Sequence, residues 1–251
     1  MVLVVLRCPH CGSENVKEFG QTKAGKKRYK CLNSECPHVS FMEEYTYNAC
    51  NPKIRAQIYF SIVNGNGTRA TARVLDISKD TVTNVLRRIE EHVWHVNYNY
   101  IAQHTENKID IEIIPVAEAE MDEMWSFYHD KSHQIWLWWA IDHNTGESLA
   151  FCFGTREHKY LDELRELLEP FFDIGVVYSD GNSAYKSHIT ESTVVTGKKN
   201  TQKIERKHLF LRTWCSRLVR KGIRFSKDKN MHIIVVGMII NFWFFSHAVW
   251  T

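Results

Sequence analysis

Apolar side chains recur every three to four residues between positions 52 and 94, which is the period of amphipathic helices. Residues 52–63 predict a first helix, and the Asn-Gly-Asn-Gly run at 64–67 ends it. Thr68 begins a short second helix through Leu75, and Ser78 is a suitable N-cap for a third. A helix, a short helix, a three-residue turn and another helix are the order of a helix-turn-helix.

The polar face of the third predicted helix is basic. Such side chains can hydrogen-bond base edges and neutralise phosphates in a major groove. The predicted DNA-binding residues are Lys79, Thr81, Thr83, Asn84, Arg87 and Arg88. From the pattern alone, a three-helix bundle with a solvated basic face remains the alternative.

From residue 116 the pattern changes to that of strands. The predicted elements are strands at 118–127, 134–142 and 148–153, an amphipathic helix at 158–172 and a short apolar strand at 174–178. The last run is typical of a strand that is covered on both faces. Three antiparallel strands, a helix and a parallel strand follow one another in ribonuclease-H-like sheets. We therefore expect a multidomain α+β protein whose C-terminal part is a ribonuclease-H-like α/β domain.

The composition excludes a disordered or fibrous chain, since 44% of the 251 residues are hydrophobic. The most apolar stretch, 233–250, includes Gly237, Asn241 and Ser246 and is shorter than the ~20 apolar residues of a membrane span. We expect a buried packing helix there and no membrane partner. The short apolar start runs straight into Arg7 and predicts no export signal, so a cytoplasmic, nucleoid-associated location is expected.

The net charge of +3 conceals three differently charged segments. Residues 1–100 carry 14 basic and 9 acidic side chains, residues 101–180 carry 5 and 17, and residues 181–251 carry 13 and 3. Basic ends favour a polyanionic partner, and the acidic middle favours bound metal. Three solvated surfaces of different charge would give the same count.

Four of the seven cysteines are paired at metal-ligand spacing. Cys8 and Cys11 form a C-x2-C pair, Cys31 and Cys36 form a C-x4-C pair, and 19 residues separate the pairs. Two tight turns of this kind aim four thiolates at one point, which is the shell of structural Zn²⁺. The sequence therefore predicts a zinc-stabilised N-terminal domain.

Three acidic residues lie at positions that suggest a functional role. Asp122 lies inside a predicted strand, Asp180 ends another, and Glu205 lies in a basic helix predicted at about 200–221. On that helix His208 and Arg212 share the face of Glu205, because they follow it by three and seven residues. Converging carboxylates fit Mg²⁺ or Mn²⁺ and phosphoryl transfer. Two rival carboxylates, Glu120 and Asp142, cannot be excluded from the pattern.

The motifs together resemble the DDE transposases of the insertion-sequence-one family. The resemblance is carried by Glu-Met-Asp-Glu-Met-Trp at 120–125, Tyr-Ser-Asp-Gly at 178–181 and Thr-Gln-Lys-Ile-Glu-Arg at 201–206. It continues in Leu-Phe-Leu-Arg at 209–212, and in the N-terminal third in the cysteine pairs and Gly-Thr-Arg-Ala-Thr-Ala-Arg at 67–73.

The resemblance implies a DNA transposase with Asp122, Asp180 and Glu205 as its acidic triad. Because His208 and Arg212 share the face of Glu205, we expect them to contact the scissile strand or its neighbouring phosphates. It implies binding to double-stranded DNA, both terminal inverted repeats and target, and an assembly of at least two chains. The predicted domains are a zinc ribbon at 1–48, the helix-turn-helix at 49–96, a linker at 97–115 and the catalytic domain at 116–251.

Three other functions remain open on the sequence. The chain could be a DNA-binding regulator of transposition with a silent catalytic half. It could be a recombinase with a covalent Tyr or Ser nucleophile, for which Tyr178, Ser179 and Ser183 are the candidates. It could also be a nuclease of the same fold that makes no strand-transfer product.

Overall fold

The helices and strands divide between two units of the chain. A computed structural model describes residues 5–23, 25–37, 40–42, 48–105, 113–181, 183–189, 192–219 and 224–248, without the side chains of 183 and 184. The first unit contains residues up to Ser61 together with Thr68–Val85, and the second contains Ile62–Gly67 and Leu86–Val249.

The first unit begins with a small antiparallel sheet. Its strands are β1 (Val16–Gln21), β2 (Lys27–Cys31) and β3 (Ser40–Met42), hydrogen-bonded in that order. Cys8, Cys31 and Phe41 are buried together, and Val16 and Tyr29 pack against them. This apolar contact is small, as expected of a sheet that depends on a further cross-link.

Three helices follow at the predicted places. They are α1 (Pro52–Val63), α2 (Thr68–Val74) and α3 (Lys79–Ile89). The Ser78 hydroxyl accepts hydrogen bonds from the backbone amides of Asp80 at 3.1 Å and Thr81 at 3.2 Å. Ser78 therefore caps α3 as predicted, because the first amides of a helix have no partner within it.

The second unit is built on a five-stranded mixed sheet. Its strands are β4 (Ile114–Phe127), β5 (Gln134–Asp142), β6 (Ser148–Gly154), β7 (Phe172–Ser179) and β8 (Thr193–Thr196). Their order is β6-β5-β4-β7-β8, with β4 antiparallel to β5 and parallel to β7. This is the predicted ribonuclease-H-like order, and it places β4 at the centre.

Five helices accompany this sheet. They are α4 (Tyr98–His104), α5 (Lys159–Leu168), α6 (Ser183–His188), α7 (Gln202–Trp214) and α8 (Lys229–Phe244). Leu161, Leu164 and Leu168 of α5 are buried in a core with Trp138 of β5 and Met121 of β4. Apolar packing of α5 against β4 and β5 therefore stabilises the sheet next to the strand that carries Asp122.

Helix α8 is the buried packing helix that its apolar sequence predicts. Met231 and every residue from Ile234 to Asn241 are buried. Within the described ranges, no helix combines the length and the apolarity that crossing a membrane requires.

Several predictions differ from the structure. Helix α5 ends at Leu168 rather than at 172, and strand β8 was not predicted. The segment 97–115, predicted as a linker, contains α4 and the start of β4; Asn97 accepts the amide of Tyr100 at 3.2 Å and caps α4. Helix α7 ends at Trp214 rather than near 221, because Cys215 takes an extended backbone conformation. The sequence predicts a longer helix because the basic segment beyond Trp214 contains no Gly or Pro before position 222.

Candidate active site

The pairing of β4 with β7 brings two aspartates to the same level of the sheet. The parallel register aligns Glu120 with Tyr178, so Asp122 and Asp180 lie two residues further along their respective strands. Asp122 is only 9% exposed, whereas Asp180 is exposed just beyond the end of β7. The sheet thus presents both carboxylates at the carboxyl end of β7, where ligands commonly bind in α/β sheets.

A third carboxylate, which the sequence prediction missed, lies beside these two. Ligand oxygens of Asp122, Glu123 and Asp180 are all within 4.8 Å of one another. Neighbouring residues of a strand point to opposite faces, so the alternation gave no reason to group Glu123 with Asp122. The only sequence signal is the Asp-Glu pair itself.

Tyr185 of α6 fixes the position of Glu123. Its hydroxyl donates a hydrogen bond of 3.0 Å to Oε2 of Glu123. Burial of the ring and the adjacent carboxylate raise the pKa of Tyr185 well above its usual value, so the phenol stays protonated and remains a donor. A buried tyrosine therefore sets the orientation of one acid of the cluster.

Helix α7 carries the three other predicted catalytic residues. The ring of His208 is 5% exposed, and its Nδ1 lies 3.4 Å from Oδ2 of Asp122. Arg212 is half-buried and Glu205 is exposed. Glu205 does not belong to the carboxylate group at 4.8 Å. Its place in the triad stays a prediction.

The buried position of His208 changes its expected role. A side chain that contacts a DNA strand must be accessible, whereas this ring packs 5.9 Å from the ring of Trp139, centroid to centroid. Its closest charged neighbour is Asp122. The imidazole therefore lies against Asp122, and its contact with the scissile strand stays a prediction.

The two rival carboxylates are engaged in structural hydrogen bonds. Asp142 accepts the hydroxyl of Tyr100 at 2.8 Å and the amide of Asn144 at 2.7 Å, and so closes the turn between β5 and β6. Glu120 accepts Nδ1 of His143 at 2.8 Å and the amide of Ile204 at 2.9 Å. Among the described residues, neither acid is part of the Asp122 cluster.

The four paired cysteines converge in the first unit. The sulfur atoms are 3.9 Å apart in the Cys8–Cys36 pair and 3.7 Å apart in the Cys11–Cys31 pair. Ligands about 2.3 Å from a common tetrahedral centre lie about 3.8 Å apart. A backbone hydrogen bond from Ser13 lowers the pKa of Cys11 to about 7, which favours the thiolate form that binds metal. The cluster can hold a tetrahedral metal ion.

Helix α3 presents most, but not all, of the predicted DNA-binding residues. Lys79, Arg87 and Arg88 are exposed, and Thr83 and Asn84 are half-buried. Thr81 is the most buried of the set: its side chain is 8% exposed, because it lies beside Val82 and Val85 on the flank of the apolar stripe, and its contact with DNA stays a prediction. The exposed part of the helix is thus dominated by cations.

Comparison with known sequences identifies the family. The family described as IS1 transposase matches residues 115–246, which is more than half of the chain. The chain belongs to the IS1 transposase family. Residues 45–89 match a second family, described as the InsA C-terminal domain, a helix-turn-helix.

Among curated proteins, the chain is similar to the InsB proteins of insertion elements. It is 43% identical over 122 residues to the insertion element iso-IS1n protein InsB of Shigella dysenteriae, covering 49% of this chain and 92% of the relative. It is 40% identical over 123 residues to the insertion element IS1 9 protein InsB of Escherichia coli K12, covering 49% and 73%.

Two solved structures show a distant likeness. The catalytic core domain of BIV integrase is 14% identical with a TM-score of 0.35, covering 50% of this chain and 82% of that one. A chain of the simian T-cell lymphotropic virus intasome in complex with a PP2A regulatory subunit is also 14% identical with a TM-score of 0.35, covering 71% and 66%.

As a member of the IS1 transposase family, the chain is a DDE polynucleotidyl transferase, and membership of this family implies a catalytic divalent metal. The residues present fit such an ion, because Asp122, Glu123 and Asp180 offer three closely spaced carboxylates. Hard carboxylate oxygens are the ligands that Mg²⁺ and Mn²⁺ prefer.

Replacing Tyr185 with Phe tests whether Glu123 belongs to the metal-binding group. We expect the Tyr185→Phe protein to bind Mn²⁺ about tenfold more weakly, since removing a hydrogen bond behind a metal ligand typically reduces affinity 10- to 100-fold. Calorimetric titration with Mn²⁺ measures this. Tyr178→Phe is the matched control, because that phenol lies near Glu118 and outside the cluster. Equal Mn²⁺ affinity in both variants would contradict a ligand role for Glu123.

Proposed function

We propose that this transposase binds the terminal inverted repeats of its element through residues 1–95 and uses Asp122, Asp180 and Glu205 to cut and join DNA strands. The observation that carries the proposal is the convergence of Asp122 and Asp180, which are 58 positions apart in sequence, within 4.8 Å at one end of the sheet. A regulator with no catalytic role has no need of such an arrangement.

The chain's own residues would hold and orient the reacting phosphate. Divalent cations held by these carboxylates would stabilise the charge that develops on the oxygens of the displacement, in which water and then a 3′-hydroxyl would be the attacking group. Asp122 and Asp180 supply charged oxygens from the rigid sheet, and Glu123 adds a third beside them. Glu205 supplies a further carboxylate from α7. Holding these groups fixed lowers the entropic part of the barrier.

His208 and Arg212 support this site in different ways. His208 is a positioning residue, since its Nδ1 faces Oδ2 of Asp122 and limits the rotation of that carboxylate. Arg212 lies one turn further along α7 and would contact a phosphate beside the scissile bond. Exposed cations on the helix and on either side of it would attract the DNA backbone; they are Lys198, Lys199, Arg206, Arg224 and Lys227.

Helix α3 would read the inverted repeats in a major groove. Its first turn offers Lys79, and its last turn offers Arg87 and Arg88 to bases or phosphates. Asn84 and Thr83 lie between them, although the Thr83 hydroxyl already donates to the carbonyl of Lys79 at 3.0 Å. The sequence specificity would therefore rest mainly on Asn84 and the three cations.

The four cysteines would hold a structural Zn²⁺ that stabilises the β1–β3 sheet. Thiolates are soft ligands that favour zinc, and the sulfur spacing agrees with its tetrahedral shell. The catalytic ion would be Mg²⁺ or Mn²⁺, because its ligands are carboxylates. Transposition joins two element ends, so the active assembly would contain at least two chains on the DNA of the nucleoid.

Replacing Asp180 with Asn tests the catalytic proposal. The change keeps the shape of the side chain and removes its charge, so we expect cleavage of terminal-repeat DNA in Mg²⁺ to fall about 10³-fold, equivalent to several kcal/mol of transition-state stabilisation. Asp173→Asn at the opposite end of β7 is the control and should cleave normally. Undiminished cleavage by Asp180→Asn, measured on gels as strand scission, would overturn the assignment.

Replacing Arg88 with Ala tests the DNA-binding face. We expect weaker binding to terminal-repeat DNA and, if Arg88 contacts a phosphate, a decrease of about one in the slope of log affinity against log salt concentration. Binding is measured by fluorescence anisotropy at several salt concentrations. Arg156→Ala removes the same charge from a side chain that lies over Trp136 in the second unit, and it should leave the slope unchanged. Identical behaviour of the two variants would contradict the role of α3.

Replacing Cys36 with Ser tests the zinc site. We expect one zinc per chain in the parent protein and loss of that zinc in Cys36→Ser, with rapid proteolysis between residues 5 and 42, because small metal domains fold only with their ion. Zinc content is measured by mass spectrometry of the metal. Cys50→Ser is the control, since Cys50 is exposed and outside the cluster. Full zinc content in Cys36→Ser would contradict the site.

A further inference from the structure

The buried carboxylate of Glu120 is satisfied by groups from two other parts of the fold. Glu120 lies on β4 and is 0% exposed. Its Oε1 accepts Nδ1 of His143 at 2.8 Å, and its Oε2 accepts the backbone amide of Ile204 at 2.9 Å. A buried charge is strongly destabilising unless it is paired and hydrogen-bonded, so these contacts are a requirement for the fold.

The contact with Ile204 acts as the cap of α7. The first amides of a helix have no partner within it, and the residue before α7, Thr201, makes no side-chain capping bond. Glu120 supplies the acceptor from a neighbouring strand instead. Its negative charge also lies at the positive end of the helix dipole, where anions are favoured.

A second contact ties the same turn of α7 to the sheet. Nζ of Lys203 donates to the carbonyl of Asn144 at 2.9 Å and also to the carbonyl of His143. Both carbonyls belong to the turn between β5 and β6, and His143 is the residue that holds the other oxygen of Glu120. The beginning of α7 is therefore fixed at two adjacent points.

The anchored turn carries the residues that the catalytic proposal needs. Glu205 directly follows Ile204, and His208 lies one turn further, with its Nδ1 3.4 Å from Asp122. Glu120 and Asp122 are two residues apart on β4 and so face the same side of the sheet. One strand therefore presents a catalytic carboxylate and also holds the helix that brings Glu205 and His208 towards it.

We propose that Glu120 is a positioning residue that sets the placement of Glu205 and His208 relative to Asp122 by anchoring the first turn of α7. Both of its carboxylate oxygens are engaged by protein donors, so it acts through the helix and does not hold the catalytic ion. This inference rests on the proposed function, because it assumes that Asp122 and Glu205 work together.

Hydrogen exchange tests the anchor without any need for activity. In the full-length Glu120→Ala protein, exchange of amides in the 202–210 segment should accelerate about 10- to 100-fold, as expected for a lost buried hydrogen bond. Glu120→Gln keeps a carbonyl acceptor for Ile204 and should show a smaller acceleration. Glu118→Gln is the matched control: Glu118 lies on the same face of β4 and approaches Nε2 of the same His143 at 3.8 Å, and it should leave α7 unchanged.

Cleavage kinetics test the consequence for catalysis. With saturating terminal-repeat DNA, single-turnover cleavage should fall about 100-fold in Glu120→Ala and less in Glu120→Gln, because misplacing catalytic groups by about 1 Å has effects of this size. Affinity for repeat DNA should change little, since α3 and the exposed cations outside the 202–210 segment are unaffected. Partial rescue by Gln together with unchanged DNA affinity separates positioning from general loss of structure.

Two results would overturn the inference. One is unchanged exchange of the 202–210 segment in both Glu120 variants, and the other is fast exchange accompanied by parental cleavage rates. If the Glu120→Ala protein does not fold, the comparison of Glu120→Gln with Glu118→Gln decides by the same two measurements. Absence of cleavage in the parent protein would instead contradict the proposed function, and the exchange data would still test the anchor.

Discussion

The central position of β4 is the constraint on which the second unit depends. A strand that is paired on both sides and covered on both faces is usually apolar, yet β4 carries Glu120, Asp122 and Glu123 in its middle. Each of these acids must find a compensating group, because an unpaired buried charge strongly destabilises a fold. Elements that are distant in sequence provide those groups, and so the acids of one strand determine where several helices dock.

Each acid of β4 has a partner from a different part of the chain. Glu120 receives the amide of Ile204 and the ring of His143, Asp122 faces the imidazole of His208, and Glu123 receives the phenol of Tyr185. Helix α7 therefore meets one side of β4 at two successive acids, whereas α6 meets the third acid. These contacts hold Glu120 and Glu123 in fixed orientations, whereas Nε2 of the buried His208 has no hydrogen-bond partner among the described residues.

Buried apolar side chains and a buried hydrogen-bond network around β4 keep these acids in place. Trp138 and Trp139 of β5 are fully buried next to β4, where they pair in register with Glu123 and Asp122. At the end of β4, Ser126 bonds Nε2 of the buried His232 at 3.0 Å, and Ser226 bonds its Nδ1 at 2.9 Å. Burial lowers the pKa of His232 to about 3, so this ring is neutral and can accept as well as donate. These contacts hold β4 in position beside Asp122 and near its carboxyl end.

The sequence by itself determined the parts of this protein that depend on neighbours along the chain. Helix period, the Ser78 cap and the spacing of four cysteines are local properties, so α1, α3 and the metal-binding cluster follow from them. The succession of elements indicated four of the five strands of the sheet, whereas β8 was not predicted. Only the tertiary structure shows that Glu123 joins Asp122 and Asp180, because the register of β4 on β7 brings these acids together across more than 50 residues. The same long-range packing gave Glu120 and Asp142 structural partners that no periodicity reveals, and it left Glu205 exposed and outside the Asp122 carboxylate group.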